Sequence, residues 1–243
     1  MTVAFDPRYA LERLITQPIT AGTSLVHSHR ADPATGDFPF NAFNPHADTR
    51  FAGCLATTMP AAFYGGTTLE CALWESDLRH VVGDHHGVVV LRREQFLHRR
   101  LTFIRTTRDL HVIELYPSTL VGMASEKTVQ HAWTELTTCN AHAPTHAPAA
   151  QLLAQAQSLG VHVDGFAWYS RQCGTRETHP TVYVFFSPPG SPSSFIEDPH
   201  RAPIALDGGT KAWAAIDAAL ALANLRRARG GVGAILAPES DEE

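Results

Sequence analysis

The stretch that decides the fold is Tyr64–Glu75, which reads YGGTTLECALWE. The apolar residues at its start predict a short strand over Ala61–Tyr64, and the two glycines that follow are expected to end it. Thr67 and Glu70 have the spacing of a capping box, in which each side chain bonds the other residue's backbone, so we expect a helix to begin there. The sequence therefore predicts a strand, a glycine turn and a helix in immediate succession.

Glu75 is the carboxylate of this helix that the pattern does not explain. Its neighbours on the helix surface are Cys71 and Ala72 one turn earlier and Leu78 three residues later. Burying an unpaired charge is costly, so a carboxylate in such surroundings is either paired or chemically useful. The alternative is a surface residue with an ion-pair partner. Glu70, by contrast, already has a structural role as the predicted cap residue.

A second informative segment is Asp164–Arg171, DGFAWYSR. Its aromatic and apolar residues predict a strand that ends in Ser170 and Arg171. A hydroxyl and a guanidinium at a strand end suit the binding of a polar ligand, because pockets in sheet proteins often open there. A Ser-Arg dipeptide alone has almost no specificity, and a simple turn after the strand is its more frequent explanation.

Composition restricts the class of protein. The chain has 243 residues, of which 44% are hydrophobic and 18% charged, so it is expected to be globular. The formal net charge of −5 argues against nucleic acid as a direct partner, since phosphate binding needs a basic surface. No apolar run approaches the roughly 18 residues of a membrane span. The N-terminal sequence lacks an apolar signal core, so a cytoplasmic location is expected, or delivery into a target cell if the chain is an effector.

Cysteine and histidine spacing does not indicate a metal site. The four cysteines, at positions 54, 71, 139 and 173, form no C-x-x-C pair, and we expect reduced thiols with Cys71 in the core. His142 and His146 are four residues apart, but Pro144 between them argues against a helix. The prediction is therefore no metal.

The order of elements along the chain predicts an α+β fold with a mixed, mainly antiparallel sheet, because strands and helices do not alternate strictly. The remaining predicted strands are Ser24–His29, Val88–Leu91, Leu101–Ile104, His111–Leu115, Asp164–Tyr169 and Thr181–Phe186. The remaining predicted helices are Tyr9–Thr16, Thr128–Thr137, Ala149–Leu159 and Lys211–Arg229, with a Pro- and Ser-rich linker over Pro188–Pro203. The predicted organisation is an N-terminal extension (1–23), a main domain (24–200) and a C-terminal helical extension (201–243).

Together these motifs resemble the RES-domain family, the toxin half of bacterial RES–Xre toxin–antitoxin pairs. The resemblance is an ordered series over residues from about 24 to 187. In chain order its members are Ser24–His29 at an "LYRIH"-type strand, Phe43-Asn44-Pro45, the "RF" pair Arg50-Phe51, the block Tyr64–Glu75, and Tyr169-Ser170-Arg171. In the "LYRIH"-type strand this chain carries His27 where the family has arginine.

The resemblance implies a split sheet similar to that of ADP-ribosyltransferase toxins, with NAD⁺ held in a cleft. NAD⁺ is then a consumed substrate and no cofactor is needed: the bond between nicotinamide and ribose is cleaved, with water or inorganic phosphate as acceptor. The residues implied as catalytic are Arg50, Glu75 and Ser170, and those implied as substrate-binding are His27, Asn44, Tyr64 and Arg171. The implied protein partner is an Xre-type antitoxin or an immunity protein, and a homo-oligomer is compatible with the resemblance.

The residue types suit this chemistry. Cleavage of an N-glycosidic bond builds positive charge on the ribose, which a carboxylate such as Glu75 can stabilise. Arg50 can bind the diphosphate through two parallel hydrogen bonds, and Tyr64 can stack on the cationic nicotinamide ring. Ser170 can hydrogen-bond the nicotinamide amide or a phosphate. It is not expected to be a covalent nucleophile, because no histidine base lies beside it in sequence.

Two other functions fit the same residues. The first is nucleotide binding without turnover, with the glycine turn and the helix N-terminus as an anion site. The second is transfer of ADP-ribose to a macromolecule, which is a different enzyme class.

Overall fold

The computed structural model describes residues 16–30, 35, 37, 40, 51, 61–116, 143–170, 173, 180–187 and 194–228. The first six strands are β1 (Thr16–Ile19), β2 (Ser24–Arg30), β3 (Ala61–Gly66), β4 (Val88–Val89), β5 (Arg99–Thr106) and β6 (Leu110–Glu114). The other five are β7 (Gly165–Tyr169), β8 (Thr181–Ser187), β9 (Phe195–Glu197), β10 (Ile204–Ala205) and β11 (Arg226–Arg227). The α-helices among the described residues are α1 (Leu69–Ser76), α2 (Ala143–Ser158) and α3 (Thr210–Leu222), with a 3₁₀ turn at Arg93–Gln95.

Nine of these strands form one sheet in the order β1-β6-β7-β8-β3-β2-β5-β10, with β9 also paired to β5. Within this sheet β6 and β7 are parallel, α2 lies between them in the chain, and every other pairing is antiparallel. The two short strands β4 and β11 pair separately. The expected α+β fold with a mainly antiparallel sheet is confirmed.

Both faces of the sheet are buried, which explains the dense apolar sequence of its central strands. In β7, Phe166 and Trp168 pack into the larger core with α1 and α3, whereas Ala167 faces a smaller core on the opposite side. Val184 and Phe185 of β8 divide between the two cores in the same way. Successive side chains of a strand point to opposite faces, so a strand covered on both sides needs apolar residues at nearly every position.

The sheet is weakly joined between β2 and β3. These strands pair at the single register position Val26 with Gly66. By contrast, β2 pairs with β5 over seven positions and β3 with β8 over six. Two well-paired groups of strands therefore meet along a line that has almost no backbone ladder.

Several predicted elements have different bounds in the structure. The strand Ala61–Gly66 continues through both glycines instead of ending before them, because each glycine pairs with β8. Helix α2 begins at Ala143, so the argument from Pro144 against a helix was wrong: proline is tolerated in the first turn, where the backbone N–H has no partner in the helix. Helix α3 ends at Leu222, earlier than predicted, and the chain then returns as β11.

The linker and the two extensions predicted from the sequence contain regular secondary structure. The predicted linker Pro188–Pro203 contains β9. The predicted helix Thr128–Thr137 lies outside the described residues. β1 and α3 belong to the segments predicted as extensions; β1 pairs with β6, and α3 contributes five buried residues to the larger core.

Candidate functional site

A cleft opens where β2 and β3 diverge, and helix α1 forms its third wall. Its empty volume is about 260 Å³, including the part open to solvent. The described residues that line it are Val26, Ser28, Tyr64, Gly65, Gly66, Ala72, Glu75, Ser76 and Val182. Two residues predicted for the site, Tyr64 and Glu75, are thus brought together, although they come from a strand and from the helix that follows it.

Helix α1 is capped one residue later than predicted. The N-cap is Thr68, whose hydroxyl accepts a hydrogen bond from the Cys71 backbone N–H at 3.1 Å. The predicted capping box of Thr67 and Glu70 was wrong. The Thr67 hydroxyl is engaged elsewhere and accepts a hydrogen bond from the Thr181 N–H at 3.1 Å, which ties the turn to β8. Glu70 lies in the first turn, where its charge favours the positive end of the helix dipole.

Gly66 allows α1 to start directly against β3. A Cβ on this residue would lie 2.8 Å from the Ala72 backbone nitrogen and 3.2 Å from the Cys71 Cβ. Real Cβ atoms do not approach so closely, so any other residue here would push the helix away from the strand. The absence of a side chain at Gly66 therefore sets the width of the cleft at its closed end.

The buried face of α1 is fixed from behind. Cys71, Leu73 and Trp74 are buried in the larger core, and the Trp74 indole N–H donates to the Ala219 carbonyl of α3 at 2.8 Å. Glu75 is partly exposed and lines the cleft. Since the opposite face of the helix is packed, the backbone that carries Glu75 cannot rotate without disrupting the core.

Tyr64 is held at both its ring and its hydroxyl. The ring lies edge-on to Trp168 with 6.3 Å between centroids, and the hydroxyl accepts a hydrogen bond from the Phe51 N–H at 3.3 Å. Phe51 is itself fully buried and packs against Phe166 and Trp168. A tyrosine fixed in this way has already lost its rotamer freedom and presents a rigid aromatic wall to the cleft.

His27 is not brought into the cleft. Along β2, Val26 and Ser28 line the cleft, so His27 points to the opposite face, where its ring stacks on Phe63 with 4.0 Å between centroids. Its Nδ1 lies 2.6 Å from the Tyr64 carbonyl oxygen and donates to it in the Nδ1–H tautomer. This bond joins β2 to β3 where the backbone ladder is nearly absent. Burial, with a smaller contribution from neighbouring His29, lowers the pKa of His27 to about 3.

Ser170 is buried at the end of β7 and lies outside the set of described residues that line the cleft. Its hydroxyl accepts a hydrogen bond from the Cys173 N–H at 3.2 Å, and its own N–H donates to the Pro180 carbonyl at 3.0 Å. Cys71 and Cys173 are both free, buried thiols beside it. A hydrogen bond with Cys173, and burial, raise the pKa of Cys71, so this sulfur remains a thiol at neutral pH.

Three predicted site residues, Arg50, Asn44 and Arg171, lie outside the described residues. Their assigned roles remain predictions. Arg50 directly precedes Phe51 in sequence.

Sequence reasoning missed three polar residues at this site. Ser28 and Ser76 line the cleft beside Glu75. The Ser28 hydroxyl donates to the Asp77 carboxylate at 2.6 Å, and the Ser76 hydroxyl has the Ala72 carbonyl at 2.6 Å and the Asp77 carboxylate at 2.8 Å as acceptors. The Asp77 side chain is only 1% exposed and forms an ion pair with Arg99 at 2.9 Å. The one signal available in the sequence was Ser28, a small polar residue within a predicted strand. The network itself depends on contacts between distant parts of the chain.

Within the described ranges no three His, Cys, Asp or Glu side chains are grouped to hold a metal ion. In the same part of the chain, no helix has the length and apolar character needed to cross a membrane.

Comparison with known proteins yields a distant structural likeness. No protein-family model matches the chain, and no curated protein sequence matches it. One solved structure that resembles it is the crystal structure of the MbcT–MbcA toxin–antitoxin complex of M. tuberculosis. The likeness has a TM-score of 0.44 at 14% sequence identity and covers 83% of this chain and 93% of that one.

Proposed function

We propose that this chain is an enzyme that degrades NAD⁺ by cleaving the bond between nicotinamide and ribose, with water or inorganic phosphate as acceptor. The observation that carries the proposal is the position of Glu75 and Tyr64 on the walls of one cleft. It adds to the ordered RES-like motifs of the sequence. The split sheet expected from that resemblance agrees with the single register pair between β2 and β3.

Glu75 supplies the negative charge in this proposal. As the glycosidic bond lengthens, the bonding electron pair leaves with nicotinamide, which becomes neutral, and the ribose carbon becomes positive. A carboxylate close to that carbon stabilises the charge as it develops, and it can also orient the incoming water. The water adds its oxygen to the ribose carbon and releases one proton, so the products are nicotinamide, ADP-ribose and H⁺.

Tyr64 supplies the wall for the departing ring. Its own ring is already fixed by Trp168 and by the Phe51 N–H, so packing a planar cation against it costs little additional entropy. An aromatic face also attracts the positive nicotinamide ring before cleavage and loses that attraction once the ring is neutral. Tyr64 therefore favours substrate over product in the cleft.

The other assigned residues complete the proposal. Arg50 is proposed to bind the diphosphate, and Asn44 and Arg171 to contact the dinucleotide. Ser170 is proposed as a catalytic-site hydroxyl that acts from the end of β7. A protein that covers the cleft, such as an Xre-type antitoxin or an immunity protein, is the proposed inhibitor.

The first experiment measures the loss of NAD⁺ and the release of nicotinamide by purified protein, with and without phosphate and without added metal. The expected result is equal loss of NAD⁺ and gain of nicotinamide, with ADP-ribose or its phosphate ester as the second product. Stable NAD⁺ over several hours at micromolar protein would contradict the proposal. Transfer of label from NAD⁺ to protein or nucleic acid would instead identify a macromolecular ADP-ribosyltransferase.

The second experiment assigns the carboxylate. We expect Glu75→Gln to lower kcat by about 10²- to 10⁴-fold with much less effect on NAD⁺ affinity, because the lost charge acts mainly in the transition state. Glu70→Gln is the matched control: it lies on the same helix but does not line the cleft, and losing its dipole interaction costs about 0.3–1 kcal/mol of stability. An inactive Glu70→Gln beside an active Glu75→Gln would show that the assignment is wrong.

A further inference from the structure

Asp77 and its partners Ser28, Ser76 and Arg99, here called the Asp77 network, determine which hydrogen-bonding groups this part of the cleft offers. The Ser28 hydroxyl donates its proton to Asp77 Oδ2 at 2.6 Å. The Ser76 hydroxyl has two internal acceptors, the Ala72 carbonyl at 2.6 Å and Asp77 Oδ2 at 2.8 Å. Each hydroxyl has one proton, and here both protons point into the protein. Both serines therefore present only oxygen lone pairs to the cleft.

The Asp77 carboxylate is held in place to do this. Its side chain is 1% exposed, and Arg99 lies 2.9 Å from its other oxygen, Oδ1. The serines occupy Oδ2 and the arginine pairs with Oδ1, so the two sides of the carboxylate have separate partners. The ion pair maintains the negative charge that keeps the Ser28 proton turned inward.

The described side chains of β2 and α1 around Glu75 consequently offer hydrogen-bond acceptors to the cleft. Ser28, Ser76 and the Glu75 carboxylate all line it, and all three offer acceptor oxygens. Such a wall repels phosphate, which also carries only acceptors, and it attracts groups that donate. In NAD⁺ the donors next to the reacting carbon are the two hydroxyls of the nicotinamide ribose.

We infer that Ser28 and Ser76 form a subsite for the hydroxyl pair of a ribose, and that Asp77 is the positioning residue that makes Ser28 an acceptor, while the Ala72 carbonyl and Asp77 both do so for Ser76. This inference rests on the proposed function, because it uses the position of Glu75 beside the ribose carbon to decide which donor of the substrate occupies the wall. It also assigns a direction to the substrate: the ribose lies at Glu75, and the diphosphate lies away from Ser28 and Ser76.

The test compares the binding of ADP-ribose and ADP by calorimetry, which requires no turnover. ADP-ribose carries the additional ribose, and ADP does not. The wild-type protein should bind ADP-ribose more tightly. Ser28→Ala should remove most of that preference, by about 2- to 12-fold for one hydrogen bond, and leave ADP binding unchanged. Ser28→Thr, which retains the hydroxyl, should keep the preference.

Asp77→Asn tests the positioning role. Its amide group can donate to Ser28, which would then turn its own proton outward, whereas Ser76 keeps the Ala72 carbonyl as acceptor. The expected result is the same loss of preference for ADP-ribose, together with a raised KM for NAD⁺ and a nearly unchanged kcat. If Asp77→Asn does not fold, the Ser28→Ala and Ser28→Thr pair still decides the existence of the subsite.

The outcomes separate this inference from the proposed function. NAD⁺ cleavage with an ADP-ribose preference that survives Ser28→Ala would overturn the subsite and leave the enzyme assignment intact. A wild-type protein that neither cleaves NAD⁺ nor distinguishes ADP-ribose from ADP would overturn both.

Discussion

Replacing His27 should make the protein more resistant to acid. The imidazole is buried against Phe63 on the face of the sheet opposite to the cleft, with 8% of the residue exposed, and burial lowers its pKa from the ordinary 6.5 to about 3. In the unfolded chain the same group binds a proton near pH 6.5. Between these two values the unfolded state binds more protons than the folded state, so the stability due to this group decreases as the pH falls below about 6.5.

The magnitude follows from the two pKa values. Each pH unit between them corresponds to about 1.4 kcal/mol of unfolding free energy. At about pH 5, roughly 1.5 units below the unfolded pKa, His27 therefore destabilises the fold by about 2 kcal/mol relative to neutral pH. Wild-type protein should lose at least this amount, and His27→Gln should lose about 2 kcal/mol less over the same interval.

The assay is urea denaturation at about pH 7 and about pH 5, with the difference between the two unfolding free energies compared across variants. His27→Gln lowers the unfolding free energy at both pH values, because the bond to the Tyr64 carbonyl changes. This loss is the same at both pH values, so it cancels when the unfolding free energy at about pH 5 is subtracted from that at about pH 7. His200→Gln is the control for removing a histidine from an exposed position. An identical acid dependence in His27→Gln and wild type would refute the reasoning and show that His27 is protonated in the fold.

Three further perturbations test the site and its support. Arg50→Ala should raise the KM for NAD⁺ by roughly tenfold to a hundredfold, as expected for the loss of one charge-assisted bond. Arg50→Lys should restore only part of the affinity, because lysine keeps the charge but not the paired hydrogen bonds. An unchanged KM in steady-state kinetics would show that Arg50 does not belong to the site. Thr68→Ala removes the N-cap of α1 and should cost about 1 kcal/mol in urea denaturation. Gly165→Ala should prevent stable folding, because its Cβ would lie 1.9 Å from the Val184 carbonyl oxygen. Gly65→Ala, whose Cβ would have its nearest contact at 3.6 Å, should lower the melting temperature far less when both variants are compared by thermal denaturation.

The local pattern of residue types in the sequence was sufficient to predict much of the fold. The strands β2, β5, β6, β7 and β8 were predicted within a few residues, because runs of β-branched and aromatic residues buried on both faces have an unmistakable composition. The helix that bears Glu75 was also predicted. Its N-cap was misplaced by one residue because Thr67 and Thr68 are equivalent as local signals. The two residues differ in a distant contact: the Thr67 hydroxyl accepts a hydrogen bond from the backbone N–H of Thr181, more than a hundred residues later.

The parts of the site that could not be predicted all depend on distant partners. Glu75 and Tyr64, which both line the cleft, belong to one contiguous motif, and their roles remain predictions. The Asp77 network joins residues 28, 77 and 99, which no local spacing relates. The resemblance assigned His27 to substrate binding, whereas Val26 and Ser28 line the cleft and His27 packs against Phe63 on the other face of β2.

The strand order has a consequence for the synthesis of the chain. β3 has almost no ladder with β2 and depends on β8, its partner over six register positions, whose residues follow more than a hundred positions later. The helix that carries Glu75 is supported by the carbonyl of Ala219, later still. A nascent chain therefore cannot assemble the cleft until nearly all of the described sequence has left the ribosome. For the proposed activity, this means that an interrupted translation product is inert, and that an inhibitor present in the same cell has the whole time of synthesis in which to arrive.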